Sequence, residues 1–452
     1  MASISTLLKN LINVNNCVIN SFDLTTNSSD QICLDIHLRS HKNCSCRCPI
    51  CGRKGKVYDS RKKERCWRAL DCGGIIVNLH CAVKRIDCPV HDVITEAVPW
   101  AFRDSRFTKD FDLMATYLAM NTSRSVAAEL LRCDWHTIMR CISRAKDYLE
   151  PDIKKRYDNL VNIGIDETSY KKGHRYLTVV VNQDTNTVVW CDEGHSAEVL
   201  AGFFKELTQE QRDAIKTVSG DGARWIDSCI QEYIPNATRC IDPFHVVCWA
   251  NECLDELRKE LWREAFKAEK ELKNENKRGR GRPKKNDEES QKINKSVQTS
   301  KEIKISKLAL GKAPEHLTER QRNNLELIAK TSPKLFRAYK LKEQLRLALK
   351  LSNEEDVRAE LKRFHFQATH SRIPKFKELA YKIRRHLDHI VNTVICRQSS
   401  AKVEALNNKI KLIIRKAYGF RNIENLIDMV LLGCSQITIP LPNRGDEGLQ
   451  AA

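Results

Sequence analysis

Residues 161–194, VNIGIDETSYKKGHRYLTVVVNQDTNTVVWCDEG, hold three consecutive runs in which apolar and β-branched residues dominate. Val161, Ile163 and Ile165 are two apart, so they line one face of a strand that ends on Asp166. The runs on either side of NQDTNT read as a hairpin, because β-branched residues flank a cluster of turn formers. Downstream the period changes. SAEVLAGFFKELT (196–208) has helical spacing, AIKTVSGD (214–221) is a strand ending on Asp221, and a further helix leads to the short strand ATRCID (237–242). Three strands in a meander, then alternating helix and strand, predict one mixed sheet covered by helices.

That order is the order of a ribonuclease-H-like core. It places Asp166 and Asp221 just past the carboxyl ends of strands, where open α/β sheets gather their ligands. Carboxylate oxygens suit Mg²⁺, with Mn²⁺ as a substitute, and a pair of such ions stabilises attacking and leaving oxygens in phosphoryl transfer. Either Asp alone has an ordinary reading as a turn residue; their matched positions favour a site. Glu167, Asp227 and Asp242 are competing carboxylates. Glu167 is expected to point away from any site that Asp166 faces, because side chains alternate along a strand.

Composition narrows the substrate. The chain has 452 residues, enough for several domains, and a net charge of +19, which points first to a polyanion, nucleic acid above all. No apolar run is long enough to span a bilayer and the N-terminus lacks the features of a signal peptide, so a cytoplasmic protein with no membrane partner is expected. Its 19 cysteines would then stay reduced. Ten precede residue 100, a clustering that suggests metal.

CPICGRKG supplies Cys48 and Cys51 in a CxxC knuckle, and RIDCPVHD supplies Cys88 and His91. Joined by the strand-like GGIIVNLHCAVKRI, they read as a zinc ribbon closing one structural, four-ligand Zn²⁺ site. Cys44, Cys46, Cys66, Cys72 and Cys81 leave the ligand set open, and small buried thiols are the other reading. Next come the helices SVAAELL and WHTIMRCISRA, separated at RCD, which fit a helix-turn-helix. Its second helix would present Trp135, His136, Thr137 and Arg140 to a major groove. A pair of bundle helices would look similar.

Near the C-terminus, SSAKVEALNNKIKLIIRKAYGF (399–420) spaces Val403, Leu406, Ile410, Ile413 and Ala417 as an apolar helix face, with Glu404, Asn408, Lys411 and Arg415 opposite. Glu404 has no oppositely charged residue three or four positions away. At this point CPVHDVITEAVPWA, IGIDETSYKKGHRYLTVV, VSGDGARWI, DPFHVVCWA, LTERQRNNLELI, AYKLKEQLR and VEALNNKIKLIIRKAYGFRN form a series, in order, from about residue 44 to 435. Together they resemble insertion-sequence transposases of the ISL-three family, which use a DDE triad. The resemblance implies Asp166, Asp221 and Glu404 as the catalytic ligands of two Mg²⁺ ions. It implies signature support from Asp242 and His245 in DPFH. Ala405 departs from the Gly that usually follows the glutamate. The implied partners are double-stranded DNA (terminal inverted repeats and target) and a homodimer or larger synaptic complex, and the implied setting is the bacterial nucleoid. Lys411 and Arg415 would meet phosphate.

The family also implies an all-helical insertion between Asp221 and Glu404. Within it, residues 273–302 are polar enough to predict a disordered basic loop. That loop carries KRGRGRPKKN, whose Arg280 and Arg282 flank glycine as in an AT-hook, or simply form a basic linker. The expected division is a segment 1–40, a zinc ribbon 41–100, and a helix-turn-helix domain 101–150. A ribonuclease-H-like core, 158–250, follows, then the insertion 251–395, a catalytic helix region 396–436 and a tail 437–452. The expected activity is Mg²⁺-dependent DNA cleavage and strand transfer. A non-catalytic DNA-binding regulator on the same scaffold is the alternative.

Overall fold

The computed structural model describes residues 4–60, 63–275, 288–396 and 401–442. After helix α1 (Ile4–Leu11), the N-terminal region holds two sheets. Strands β1 (Cys17–Thr26), β2 (Ile32–Ser40), β4 (Arg65–Arg68) and β5 (Ile76–Cys81) form one, in the order β1-β2-β5-β4. Ile36, Leu38, Trp67, Val77, Leu79 and Trp100 are its core. Strands β3 (Lys56–Ser60), β6 (Lys84–Cys88) and β7 (Asp92–Thr95) form the other, fully antiparallel. The expected boundary at residue 40 does not separate them: β2 pairs with β5 in parallel, so the first 40 residues share a sheet with the cysteine-rich segment. The apolar pattern of β2, with Cys33, Ile36 and Leu38 buried, required such a partner.

Helices α2 (Lys109–Asn121), α3 (Arg124–Leu130) and α4 (Trp135–Leu149) follow, each started by a side-chain cap from Thr108, Ser123 or Asp134. The turn between α3 and α4 passes through Arg132 at φ 49°. Buried Asp112 on α2 accepts both arms of the Arg144 guanidinium on α4, at 2.8 and 2.6 Å.

The central sheet has the order β10-β9-β8-β11-β12, from β8 (Asn162–Lys171), β9 (Arg175–Asn182), β10 (Thr187–Glu193), β11 (Thr217–Gly220) and β12 (Thr238–Ile241). The β8–β9–β10 meander is antiparallel, while β11 runs parallel to both β8 and β12. Alternation on β9 divides two cores. Val180 packs with α5 (Ala197–Glu206) and α7 (Arg224–Tyr233) on one face; the short α6 (Gln209–Ala214) lies between them in sequence. Leu177, Val179 and Val181 pack with α2, α4, α16 (Ala401–Lys416) and α17 (Ile423–Gly433) on the other.

Between β12 and α16 the described chain is helical: α8 (Pro243–Glu275), α9 (Glu288–Ile305), α10 (Lys307–Gly311), α11 (Glu319–Thr331), α12 (Pro333–Ala348), α13 (Glu354–Thr369), α14 (Pro374–Arg385) and α15 (Leu387–Cys396). They enclose their own core, from Leu254 and Leu257 to Phe364 and Phe376. The boundary expected at residue 250 falls inside α8, which runs unbroken from the sheet into this region. The loop expected over 273–302 is corrected at its two ends, its middle, 276–287, lying outside the described residues. Residues 273–275 finish α8 and 288–302 belong to α9, where Ser300, Glu302 and Ile303 are buried. Polar composition hid a helix that α8 supports by packing. Arg280 and Arg282 lie outside the described residues.

Candidate active site and nucleic-acid surface

Asp166 is not past the end of its strand. β8 continues to Lys171 because the hairpin with β9 pairs Asp166 with Val179 and reaches Arg175. What ends near Asp166 is the parallel ladder, whose last pair is Ile165 with Gly220, so Asp221 follows immediately beside it. The two aspartates are thus neighbours across adjacent strands. Gly164, two residues earlier on the same face as Asp166, lets α16 approach: a Cβ there would lie 2.9 Å from Val403 Cγ2.

This approach brings Asn407 of α16 to the site. Its buried amide donates to Asp166 Oδ2 and accepts from Thr168 Oγ1 at 2.9 Å. Burial pushes the Asp166 carboxyl above the usual range; the Glu167 N–H at 2.8 Å, His245 and Asn407 oppose it, and Asp242 adds to it. Burial likewise raises Glu167, with Asp221 and Asp166 adding to the rise. Alternation therefore does not remove Glu167 from the site's electrostatics.

His245 bridges the far side, with Nδ1 3.8 Å from Asp221 Oδ1 and Nε2 3.9 Å from Asp242 Oδ2. Asp242 also accepts from the Phe244 N–H at 2.8 Å, starting α8. Arg239 holds the other side of Asp221: its guanidinium donates to the Asp221 carbonyl and, at 2.9 Å, to Asp227 Oδ1. Glu404 is exposed, one helical turn before Asn407. Asp166, Asp221 and Glu404 do not form one of the tight donor clusters found among the described residues. Trp225 is half-buried against the α5/α7 core. On α16, Val403, Leu406, Ile410 and Ile413 are buried while Glu404, Asn408, Lys411 and Arg415 are exposed, as the spacing predicts.

Cys48, Cys51, Cys88 and His91 do meet, with all four ligand atoms within 4.8 Å of one another. Cys51 Sγ lies 3.6 Å from Cys88 Sγ, and Cys48 Sγ lies 3.6 Å from His91 Nδ1. Gly52 at φ 69° turns the knuckle. Burial opposes ionisation of Cys48, yet donors from the Cys51 and Ile50 backbone and the neighbouring thiols hold it down to about 6. Cys44, Cys46, Cys66, Cys72 and Cys81 are not in the cluster.

On α4, Trp135, His136 and Arg140 are exposed, and the Trp135 and His136 rings stack 3.6 Å apart. Thr137 differs: it is buried and its hydroxyl donates to Asp134 at 2.6 Å, so it secures the helix start instead of facing a groove. Trp135 and His136 line a cavity of about 840 Å³ with Arg124, Tyr418, Phe420 and Arg421. Tyr418, at φ 53°, is 90% exposed at its rim.

Residues 163–430 match a family model described as "Transposase", and residues 96–145 match "Helix-turn-helix domain of transposase family ISL3". The chain belongs to the ISL3 transposase family. It is 41% identical over 398 residues, 88% of each chain, to the "Transposase for insertion sequence element IS1557" of two strains of Mycobacterium tuberculosis. It is 26% identical over 382 residues to the "Transposase for insertion sequence element IS1001" of Bordetella parapertussis, covering 83% of this chain and 86% of that one. As an ISL3 transposase it is a DDE enzyme of the class that cleaves DNA and transfers strands with metal, and its helix-turn-helix binds DNA.

Sequence reading missed two groups. Asn407 was visible only as a neighbour of Glu404, and its amide gave no hint that Asp166 would lie beside it. Arg239 is one basic residue among many; its place in a strand-like run, with apolar Ala237 and Ile241 two positions to either side, is the available signal.

Proposed function

We propose that Asp166, Asp221 and Glu404 are the catalytic carboxylates of a ribonuclease-H-like core that cuts the ends of an insertion sequence and joins them to target DNA. The carrying observation is the convergence of β8, β11 and α16 at Asp166: Asp221 follows the neighbouring strand, and Asn407, one turn from Glu404, bonds Asp166. The residues fit a hard divalent cation. An all-oxygen donor set, with a half-buried Asp166 whose desolvated charge is costly by itself, suits Mg²⁺ or Mn²⁺. Bound there as a pair, such ions supply activation of water or a 3′-hydroxyl and stabilisation of the leaving oxygen.

The chain's own residues do the positioning. Asn407 orients Asp166, Arg239 fixes the backbone at Asp221, and His245 sits between Asp221 and Asp242. Lys411 and Arg415, exposed beyond Glu404, face the phosphates of the bound strand. Trp135, His136 and Arg140 read the terminal repeat, and Arg280 and Arg282 follow a minor groove. Cys48, Cys51, Cys88 and His91 hold one structural Zn²⁺ in a zinc ribbon. The helical insertion, entered through α8, covers the core, which resumes at α16. Two ends must be joined, so a dimer or larger synaptic complex acts.

The direct test is cleavage of a duplex carrying the element's terminal repeat. Expected are Mg²⁺-dependent strand cuts leaving free 3′-hydroxyls, abolished in Asp221→Asn with end binding retained. A trapped covalent protein–DNA adduct, or full cleavage by Asp221→Asn, would refute the reading.

A further inference from the structure

A second tight donor cluster lies beside the active site and has no part in the chemistry above. Asp227 on α7, His386 at the α14–α15 junction and His389 on α15 place one ligand atom each within 4.8 Å of one another. His386 is 3% exposed, and among the described residues the buried Nδ1 atoms of both histidines have no hydrogen-bond partner. Buried imidazole nitrogens are normally satisfied, so two such orphans on histidines that share a donor cluster with one carboxylate require an explanation. We propose that Asp227, His386 and His389 form a second Zn²⁺ site, distinct from the cysteine cluster, that fastens the end of the helical region to the core behind Asp221.

The donor types select the ion. Two imidazoles and one carboxylate suit Zn²⁺, or Co²⁺ in its place, whereas Mg²⁺ prefers oxygen throughout. Three protein donors leave one tetrahedral position for water. Arg239 bonds Asp227 at Oδ1, at 2.9 Å, and the carboxylate has a second oxygen. Metal-binding carboxylates are commonly hydrogen-bonded in this way, which fixes their orientation. The same guanidinium donates to the Asp221 carbonyl. His386 also packs on the residue after Asp221, since a Cβ at Gly222 would lie 3.5 Å from its Nε2. An ion here therefore ties α7, α15 and the backbone of Asp221 together, although Asp227 and His386 are 159 positions apart in sequence.

Metal content of the full-length protein tests this without reference to activity. After saturation with Zn²⁺ and dialysis in excess Mg²⁺, which occupies the all-oxygen sites, the unmodified chain is expected to retain two zinc ions. His389→Gln and Cys51→Ser are each expected to retain one. The Co²⁺ spectrum of unmodified protein minus that of His389→Gln should show ligand-field bands without a thiolate charge-transfer band. One zinc ion per unmodified chain, lost in Cys51→Ser, would overturn the proposal, even if His389→Gln failed to fold. So would a His389→Gln protein that keeps both ions, or a difference spectrum dominated by thiolate charge transfer.

Discussion

Asn407 shows how one neutral side chain governs a charged site. It is buried on α16, gives its N–H to Asp166 and takes the Thr168 hydroxyl. A hydrogen bond to a charged acceptor contributes about 1.5–3 kcal/mol. Asn407→Ala is therefore expected to slow cleavage roughly 10- to 150-fold while end binding is kept, by single-turnover assay against gel shift. The pH profile separates orientation from simple packing. A carboxylate holds a cation only when ionised, and Asn407 opposes the rise that burial imposes on the Asp166 pKa. Losing that donor should move the acid limb of the rate profile upward; a slower enzyme with an unmoved limb would mean that Asn407 only supports Thr168. Stability follows the opposite sign from an ordinary paired carboxylate. Because the folded pKa of Asp166 is raised, its favourable contribution exists at low pH and is lost as pH rises through that value. Asp166→Asn should therefore raise the melting temperature of divalent-free protein at neutral pH and abolish the further rise on adding Mg²⁺.

At the level of elements, the helix-turn-helix depends on a buried contact between its first and last helices. Asp112 is fully buried, accepts both arms of Arg144, and accepts from Ser105 at 3.1 Å. Removing one partner of a buried pair leaves a desolvated charge and costs about 3–5 kcal/mol. Asp112→Ala should lower the denaturation midpoint of this region and weaken end binding, while Asp112→Leu/Arg144→Leu recovers most of the stability; equal losses in both would remove the pair from the explanation. The sequence announced α3 and α4 through the break at RCD between two helical runs, and announced α16 through its apolar spacing, because both signals are local. It also marked the β9–β10 hairpin. It placed the end of β8 too early, because a strand that is parallel on one edge and antiparallel on the other has two different ends. It made α9 a loop, since only packing on α8 gives that polar stretch a reason to be helical. Asp227, His386 and His389 were out of reach for the same reason: no local pattern joins residues 159 or more positions apart.

For the whole molecule the governing quantity is charge, +19 from 77 basic and 58 acidic residues. Binding to a duplex should release counterions, so log K should fall linearly with log salt, by about 0.9 for each phosphate neutralised. Arg280 and Arg282 allow that slope to be dissected. If both contact DNA, Arg280→Ala/Arg282→Ala should reduce the slope by roughly 1.8, on any sequence. Insertion into a narrow minor groove adds a second signature, because A·T-rich tracts concentrate negative potential there and guanidinium groups fill them well. Anisotropy titrations of full-length protein on A·T-rich and G·C-rich flanks of one terminal repeat should then show a preference for A·T that the double variant lacks. A reduced slope with no change in preference would make the segment a basic linker that meets phosphate only. An unchanged slope would place both arginines away from DNA and leave the salt dependence to the exposed basic residues of α4 and α16.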